Sequence, residues 1–190
     1  MMSVRRGYVW LKRWRRCRGF GIQSPTDYQF VRYVVNEHWP YYAYEELRRQ
    51  HPELGSDERR ICQLALRISN WRQPRQAVVC GKSLRARAIY IRYGCRQCNV
   101  VATTDEAQHI DLLWTTAESS DASHTIESAL DKADANTIIV VEGIYSNHDT
   151  KALWQRLVAD KRTGITMDLY WAGIVFLDTE RYKQHYTINF

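Results

Sequence analysis

The sequence predicts an α/β protein, a mostly parallel sheet closed by an antiparallel C-terminal hairpin, with an N-terminal helical extension. Three observations predict it. From residue 76 onward, short continuous apolar runs alternate with amphipathic helical patterns, as expected for parallel strands buried on both faces. Near the end, Thr163–Leu169 and Ala172–Leu177 are two strand-like runs joined by about two residues, too few for a parallel crossover of about a dozen. The first 75 residues read as helical throughout. The chain therefore divides into a helical extension, 1–75, and a sheet-containing domain, 76–190.

The elements follow in order. Val4 to Arg16 forms a short amphipathic helix with Val4, Tyr8 and Leu11 on one face, Trp10 and Trp14 beside them, and basic residues elsewhere. Gly19 and Gly21 break it. Ser24-Pro25-Thr26-Asp27 starts a helix over 25–37, because Ser caps, Pro suits the first turn, and Asp favours the positive end of the dipole. A second pattern covers 41–49. A third begins at Gly55-Ser56-Asp57, places Ile61, Leu64, Ile68 and Trp71 at helical spacing, and stops at Pro74. Ala77–Cys80 is a short buried strand, 84–93 a helix, Val100–Thr104 a strand and Asp111–Thr115 another. Residues 125–133 form a helix, Thr137–Val141 the strongest strand, and His148–Ala159 a helix with Leu153, Trp154 and Leu157 inward.

Composition narrows the class. The 190 residues are 45% hydrophobic and 25% charged, ordinary values for a chain that buries a core. No apolar run is long enough to span a membrane, and the basic start lacks the apolar stretch of a secretory signal, so a cytoplasmic location is expected. The five cysteines then stay reduced. Cys95-Arg96-Gln97-Cys98 has no second ligand pair and leads into a strand, so neither zinc nor redox chemistry is expected. Charge is unevenly spread. Residues 1–98 hold 20 Lys/Arg against 7 Asp/Glu, and residues 99–190 hold 7 against 14. Arg5, Arg6, Lys12, Arg13, Arg15, Arg16 and Arg18 form a run without an acid. It reads either as one pole of a dipolar globule or as a footprint for an anionic partner, a nucleic acid or a membrane surface.

Arg18-Gly19-Phe20-Gly21-Ile22-Gln23-Ser24-Pro25 and Tyr41-Tyr42-Ala43-Tyr44-Glu45-Glu46 resemble the N-terminal region of a bacterial O-methyltransferase-like group. Asp168 to Phe176 and Lys183 to Phe190 resemble its C-terminal end. The group belongs to the class I S-adenosylmethionine-dependent methyltransferases, and the chain resembles a degenerate, shortened member. The resemblance implies a Rossmann-like fold and S-adenosylmethionine as the cofactor, if one is bound.

It also implies where a site should lie. The cofactor loop of such proteins pairs an acid with a Gly-x-x-x-Gly turn. In Val79-Cys80-Gly81-Lys82-Ser83-Leu84-Arg85, Gly81 stands at the first glycine and Arg85 at the second, with Cys80 near the acid. Lys82, Ser83 and Arg85 could alternatively hold an anion at this helix start. Asp105 stands where the ribose-binding acid belongs. The candidate cofactor-binding residues are Gly81, Ser83, Asp105 and Glu142. Metal-dependent members carry further carboxylates, but here Thr116 and Glu142-Gly143 fill those positions, so no metal is expected. Tyr145 and His148 could do acid–base work or face solvent. Only Glu106 to Ile110 separate Asp105 from Asp111, too short a span for a helical crossover. The third strand of the ordinary fold and its flanking helices are therefore expected to be missing. Two functions follow: a methyltransferase-like protein with lost or altered catalysis, or a non-catalytic module using the basic, Trp-containing N-terminus. A homo-oligomer fits either.

Overall fold

In the computed structural model the described residues are 4–16, 19, 21–81 and 84–190, with side chains from residue 7 onward. The apolar runs become seven strands: β1 (Gln76–Val79), β2 (Asn99–Val101), β3 (Leu112–Thr116), β4 (Ile138–Glu142), β5 (Ile165–Asp168), β6 (Ala172–Phe176) and β7 (Gln184–Thr187). They form one sheet in the order β2-β1-β3-β4-β6-β5-β7. β1 through β4 pair in parallel. β6 runs antiparallel to both β4 and β5, which is the predicted hairpin. β7 then pairs in parallel with β5.

Helices cover both faces. On one side lie α2 (Pro25–Phe30), continued by a π-helical turn Val31–Val35, then α3 (Ala43–Gln50), α4 (Ser56–Arg72) and α5 (Arg85–Gly94). On the other lie α6 (Ala122–Asp131) and α7 (His148–Ala159). The strand pleat sends alternate residues to the two layers. Ala77, Val79, Leu112 and Trp114 join the α4/α5 core, while Val78 and Leu113 join the α6/α7 core. The first core runs without a break from Phe30 through Ile68 into the strands. Residue 75 therefore marks a change of secondary structure, with one core on both sides of it.

Local chemistry sets the termini. Ser24 caps α2 by accepting from the Asp27 N–H, with Pro25 in the first turn. Asn147 and Thr150 form a reciprocal capping box at the start of α7. α1 (Val4–Arg13) runs into a 3₁₀ turn, Trp14–Arg16, and Gly19 and Gly21 follow with positive φ, as the expected break requires. β6 and α7 approach closely at Gly173, where a Cβ would lie 2.3 Å from the Trp154 ring.

Two expectations need correction. β2 ends at Val101 rather than Thr104, and α6 begins at Ala122 rather than Thr125. The first change borders the segment between β2 and β3, the second follows β3. Residues 102–111 cross from β2 to β3 without forming a strand. They are held down by Lys132 Nζ donating to Thr104 O at 2.7 Å and Ser128 Oγ to Thr104 Oγ1 at 3.0 Å. Buried Ala107 and Ile110 plug the layer below. Thr104 is thus tied to Ser128 on α6 and to Lys132 just after it.

Candidate functional site at the carboxyl edge of the sheet

Parallel α/β sheets bind ligands beyond the carboxyl ends of their strands. At the end of β1, Gly81 has φ +130°, a conformation that strains any residue with a Cβ. Its Cβ position faces Leu84 at 3.4 Å and Thr116 at 3.7 Å. Leu84 is buried beside this position, while Gly81 itself is exposed. Arg85, at the second glycine position, opens α5 and is exposed to solvent. Ser83 and Lys82 lie outside the described residues, as do Arg18 and the side chains of Arg5 and Arg6.

Asp105 is exposed on the turn after β2, four residues beyond the last strand residue. It sits past the strand end and does not terminate it. Gly81 and Thr116 come together, and Asp105 lies on the connecting segment that follows β2.

Glu142 is taken up elsewhere. Its carboxylate accepts from Arg87 Nε at 2.9 Å and Arg87 Nη2 at 3.0 Å, and from Trp114 Nε1 at 2.6 Å. Arg87 Nη1 also donates to Glu58 at 2.7 Å. Burial penalises the Arg87 charge, but hydrogen bonding and attraction from Glu142 outweigh it, so the guanidinium pKa is raised. The candidate cofactor residue Glu142 is thus the anchor of an ion pair between β4 and α5. Arg87 was missed from the sequence, although a signal existed. It falls on the apolar face of α5 with Leu84 and Ile91, and an arginine there requires a buried acid.

A second cluster surrounds Asp168 at the end of β5. Arg13 grips it with two parallel bonds of 3.0 Å, and Arg13 Nη1 also donates to Asp168 O at 3.1 Å. Tyr145 donates its hydroxyl to Asp168 Oδ2 at 2.8 Å. The Tyr170 N–H donates to Oδ1 at 2.7 Å. Burial, then the Asp168 contact, pushes the Tyr145 hydroxyl up to about 12. Tyr170 has φ +72° and stacks on Tyr145 at 5.3 Å. Arg13 therefore leaves the set of cations available to a partner. The tryptophans do not dock α1: Trp10 and Trp14 are 53% and 55% exposed. Arg13 and the Asn189 bond to Trp10 O do so instead. His148 lies in solvent beside Asp149.

Burial pushes the Cys98 thiol up to about 12, with Cys95 adding to it, away from the thiolate that redox chemistry needs. Among the described residues, no group of three His, Cys, Asp or Glu is placed to hold a metal ion. No helix there is long and apolar enough to cross a membrane.

Known structures share the fold. The S-adenosylhomocysteine-bound methyltransferase of Podospora anserina superposes with a TM-score of 0.55 at 12% identity, covering 87% of this chain and 98% of its own. The O-methyltransferase TomG of Streptomyces achromogenes, in complex with S-adenosylmethionine, gives a TM-score of 0.50 at 10% identity, covering 73% and 91%. No family model matches the chain, and no curated protein matches it. The chain has the Rossmann-like fold of the class I methyltransferases, with the sheet closed by the antiparallel hairpin.

Proposed function

We propose that the chain is an S-adenosylmethionine-dependent methyltransferase-like protein whose cofactor site is degenerate and whose catalysis is lost or altered. The observation that carries this reading is that β2 is the edge of the sheet β2-β1-β3-β4-β6-β5-β7 and that residues 102–111, which form no strand, stand where the resemblance implies a third strand and its flanking helices. Those elements would build one wall of an adenine pocket. The fit of the cofactor to the remaining residues is poor. Gly81 keeps the glycine-only backbone, but Arg85 stands at the second glycine position, and Glu142 serves Arg87. No methyl-transfer step is assigned to these residues.

Isothermal titration with S-adenosylmethionine and S-adenosylhomocysteine tests the proposal. Folded protein is expected to give no saturable heat at micromolar ligand. Saturable micromolar binding would overturn the degenerate reading and justify a search for an acceptor.

A second function is favoured by one feature. Tyr8, Trp10, Leu11 and Trp14 are all more than half exposed, next to Lys12, Arg15 and Arg16. An amphipathic, basic, aromatic surface suits an anionic polymer or membrane. Salt-dependent retention on RNA, DNA or anionic vesicles supports it, and no retention at low salt removes it.

A further inference from the structure

We infer a binding site for a small organic carboxylate in the cleft between α4 and the loop that follows the π-helical turn. The inference stands apart from the cofactor reading and from the N-terminal surface, since the cleft shares no residue with the Gly81 loop or with α1. The cleft has a volume of about 460 Å3, the scale of a small ligand. One wall is a stripe of α4, where Ser56, Arg60, Gln63 and Arg67 recur at helical spacing. The loop 36–40 forms the other wall, and Tyr44 of α3 joins the lining.

Two buried groups in this lining lack an acceptor. Arg67 is 4% exposed, and among the described residues no carboxylate answers its charge. Its Nε donates to Val34 O at 2.5 Å, its Nη2 to Val35 O at 3.2 Å and its Nη1 to the Tyr44 hydroxyl at 3.0 Å. A guanidinium offers one N–H on Nε and two on each amino nitrogen, so one N–H remains on Nη1 and one on Nη2. The two carbonyls belong to the end of a helix, and its negative dipole end offsets part of the cost of burying the charge. A full counter-charge is still missing. Asn36 is 7% exposed, and its Nδ2 is buried with no hydrogen-bond partner. Buried donors are nearly always paired, so this one marks a place where an acceptor belongs. Tyr44 supplies a third donor. Its oxygen accepts from Arg67, and among the described residues nothing accepts its proton. Burial raises the Tyr44 pKa, so the hydroxyl keeps that proton at neutral pH.

A carboxylate fits these donors. Its two oxygens match the paired N–H groups of a guanidinium, and it brings the missing charge. Arg60 adds positive charge on the same wall, its guanidinium 4.5 Å from the centre of the Phe190 ring. The one acidic side chain among the described lining residues, Glu37, accepts from the Trp39 N–H at 2.8 Å and bonds to none of the three donors. The organic part follows from the rim, where Trp39 is 80% exposed beside Pro40 and offers an apolar surface next to the polar groups.

The test is a nuclear magnetic resonance titration of the full chain at constant ionic strength, following backbone amides and the Asn36 side-chain amide. The probes are benzoate, acetate, inorganic phosphate and benzyl alcohol. Benzoate is expected to shift the Asn36 side-chain amide and the backbone amides of Glu37, Trp39 and Tyr44 saturably. Acetate should move the same set at higher concentration, and benzyl alcohol should leave the Asn36 side chain in place. Asn36→Leu removes a buried donor that has no partner, so its urea midpoint should not fall, while benzoate weakens about tenfold. Trp39→Ala, at an exposed position, should bring benzoate down to the affinity of acetate. Shifts equal to those produced by chloride overturn the site as counter-ion binding, and phosphate binding as tightly as benzoate overturns the carboxylate. A lower midpoint for Asn36→Leu would show that the amide is already satisfied inside the free protein, and unchanged benzoate affinity in that variant would remove Asn36 from the site; either result overturns the inference.

Discussion

Two arginine–carboxylate pairs close the carboxyl edge of the sheet, and they are built alike. Arg87 grips Glu142 at the end of β4, and Trp114 adds a third donor. Arg13 grips Asp168 at the end of β5, and Tyr145 adds a third donor. Their surroundings differ. Arg87 is sealed between β4 and the α4/α5 layer, with a side chain only 6% exposed. Arg13 comes from a helix outside the main core and roofs an open cleft. The same motif is thus sealed inside the fold in one place and borders an open cleft in the other. Chemistry of the pair alone does not distinguish a site; access does.

The sharpest way to break the comparison is Glu142→Ala. It leaves a buried guanidinium with Glu58 alone and strands the Trp114 N–H, so the loss should be about 3–5 kcal/mol in urea unfolding. Replacing both partners, Arg87→Met with Glu142→Leu, should recover most of that loss, because Glu58 is 43% exposed and stays solvated. A cost below about 1 kcal/mol for the single variant would place the pair among surface ion pairs and erase the distinction.

Gly173 lies between the two pairs, opposite Val141 on one side and Asp168 on the other. Gly173→Ala would drive a methyl group into the Trp154 ring, at 2.3–2.7 Å from its carbons. Moving α7 away should cost up to about 3 kcal/mol. Because α7 packs on the opposite face from Arg87, the Glu142 and Gly173 effects should add. Strong coupling in a double-variant cycle would show that the two layers move as one.

Asp168→Asn attacks the open pair. Arg13 is 14% exposed and can turn to water, so the loss should be smaller, about 2 kcal/mol. The change should be local. Amide exchange in α1 should quicken many-fold while β4 stays protected. Uniform loss of protection would mean that α1 belongs to the same cooperative unit as the sheet.

What the sequence disclosed follows from the range of each signal. Continuous apolar strands, the short hairpin link, the Ser24 cap and the five-residue gap before Asp111 are local patterns, and each reappears in the fold. Residues 102–111 were legible as a gap but not as a segment pinned to α6, because Lys132 and Ser128 carry no mark of that contact. The site was less legible. Arg13 and Asp168 are 155 residues apart in the chain, and no periodicity joins them. Glu142 was singled out by its strand end, but whether a carboxylate faces a ligand or an arginine depends on α5, where Arg87 alone betrayed the need for an acid. Trp10 and Trp14 were legible only as neighbours of the apolar face of the first helix. Here Arg13 docks the helix and leaves them in solvent.

The smallest effect separates the open pair by its proton. Removing the hydroxyl in Tyr145→Phe should cost about 1.5 kcal/mol near neutral pH, the scale of one hydrogen bond to a charged acceptor. The pH dependence is more telling. The Tyr145 pKa rises from 10.0 to about 12, through burial first and then the Asp168 contact. The folded state therefore holds this proton more tightly than the unfolded chain does. Its contribution is present in full below pH 10 and is lost as pH climbs through about 12. Arg13 opposes the shift without cancelling it. Tyr90 is raised by burial over a similar range, so the quantity to measure is the difference between wild type and Tyr145→Phe. Ultraviolet titration should show one late tyrosinate fewer in the variant, and its stability should fall less steeply above pH 10. Parallel stability curves would mean that Tyr145 titrates as it does in the unfolded chain, and that the Asp168 cluster is as open to water at its centre as it is at its rim.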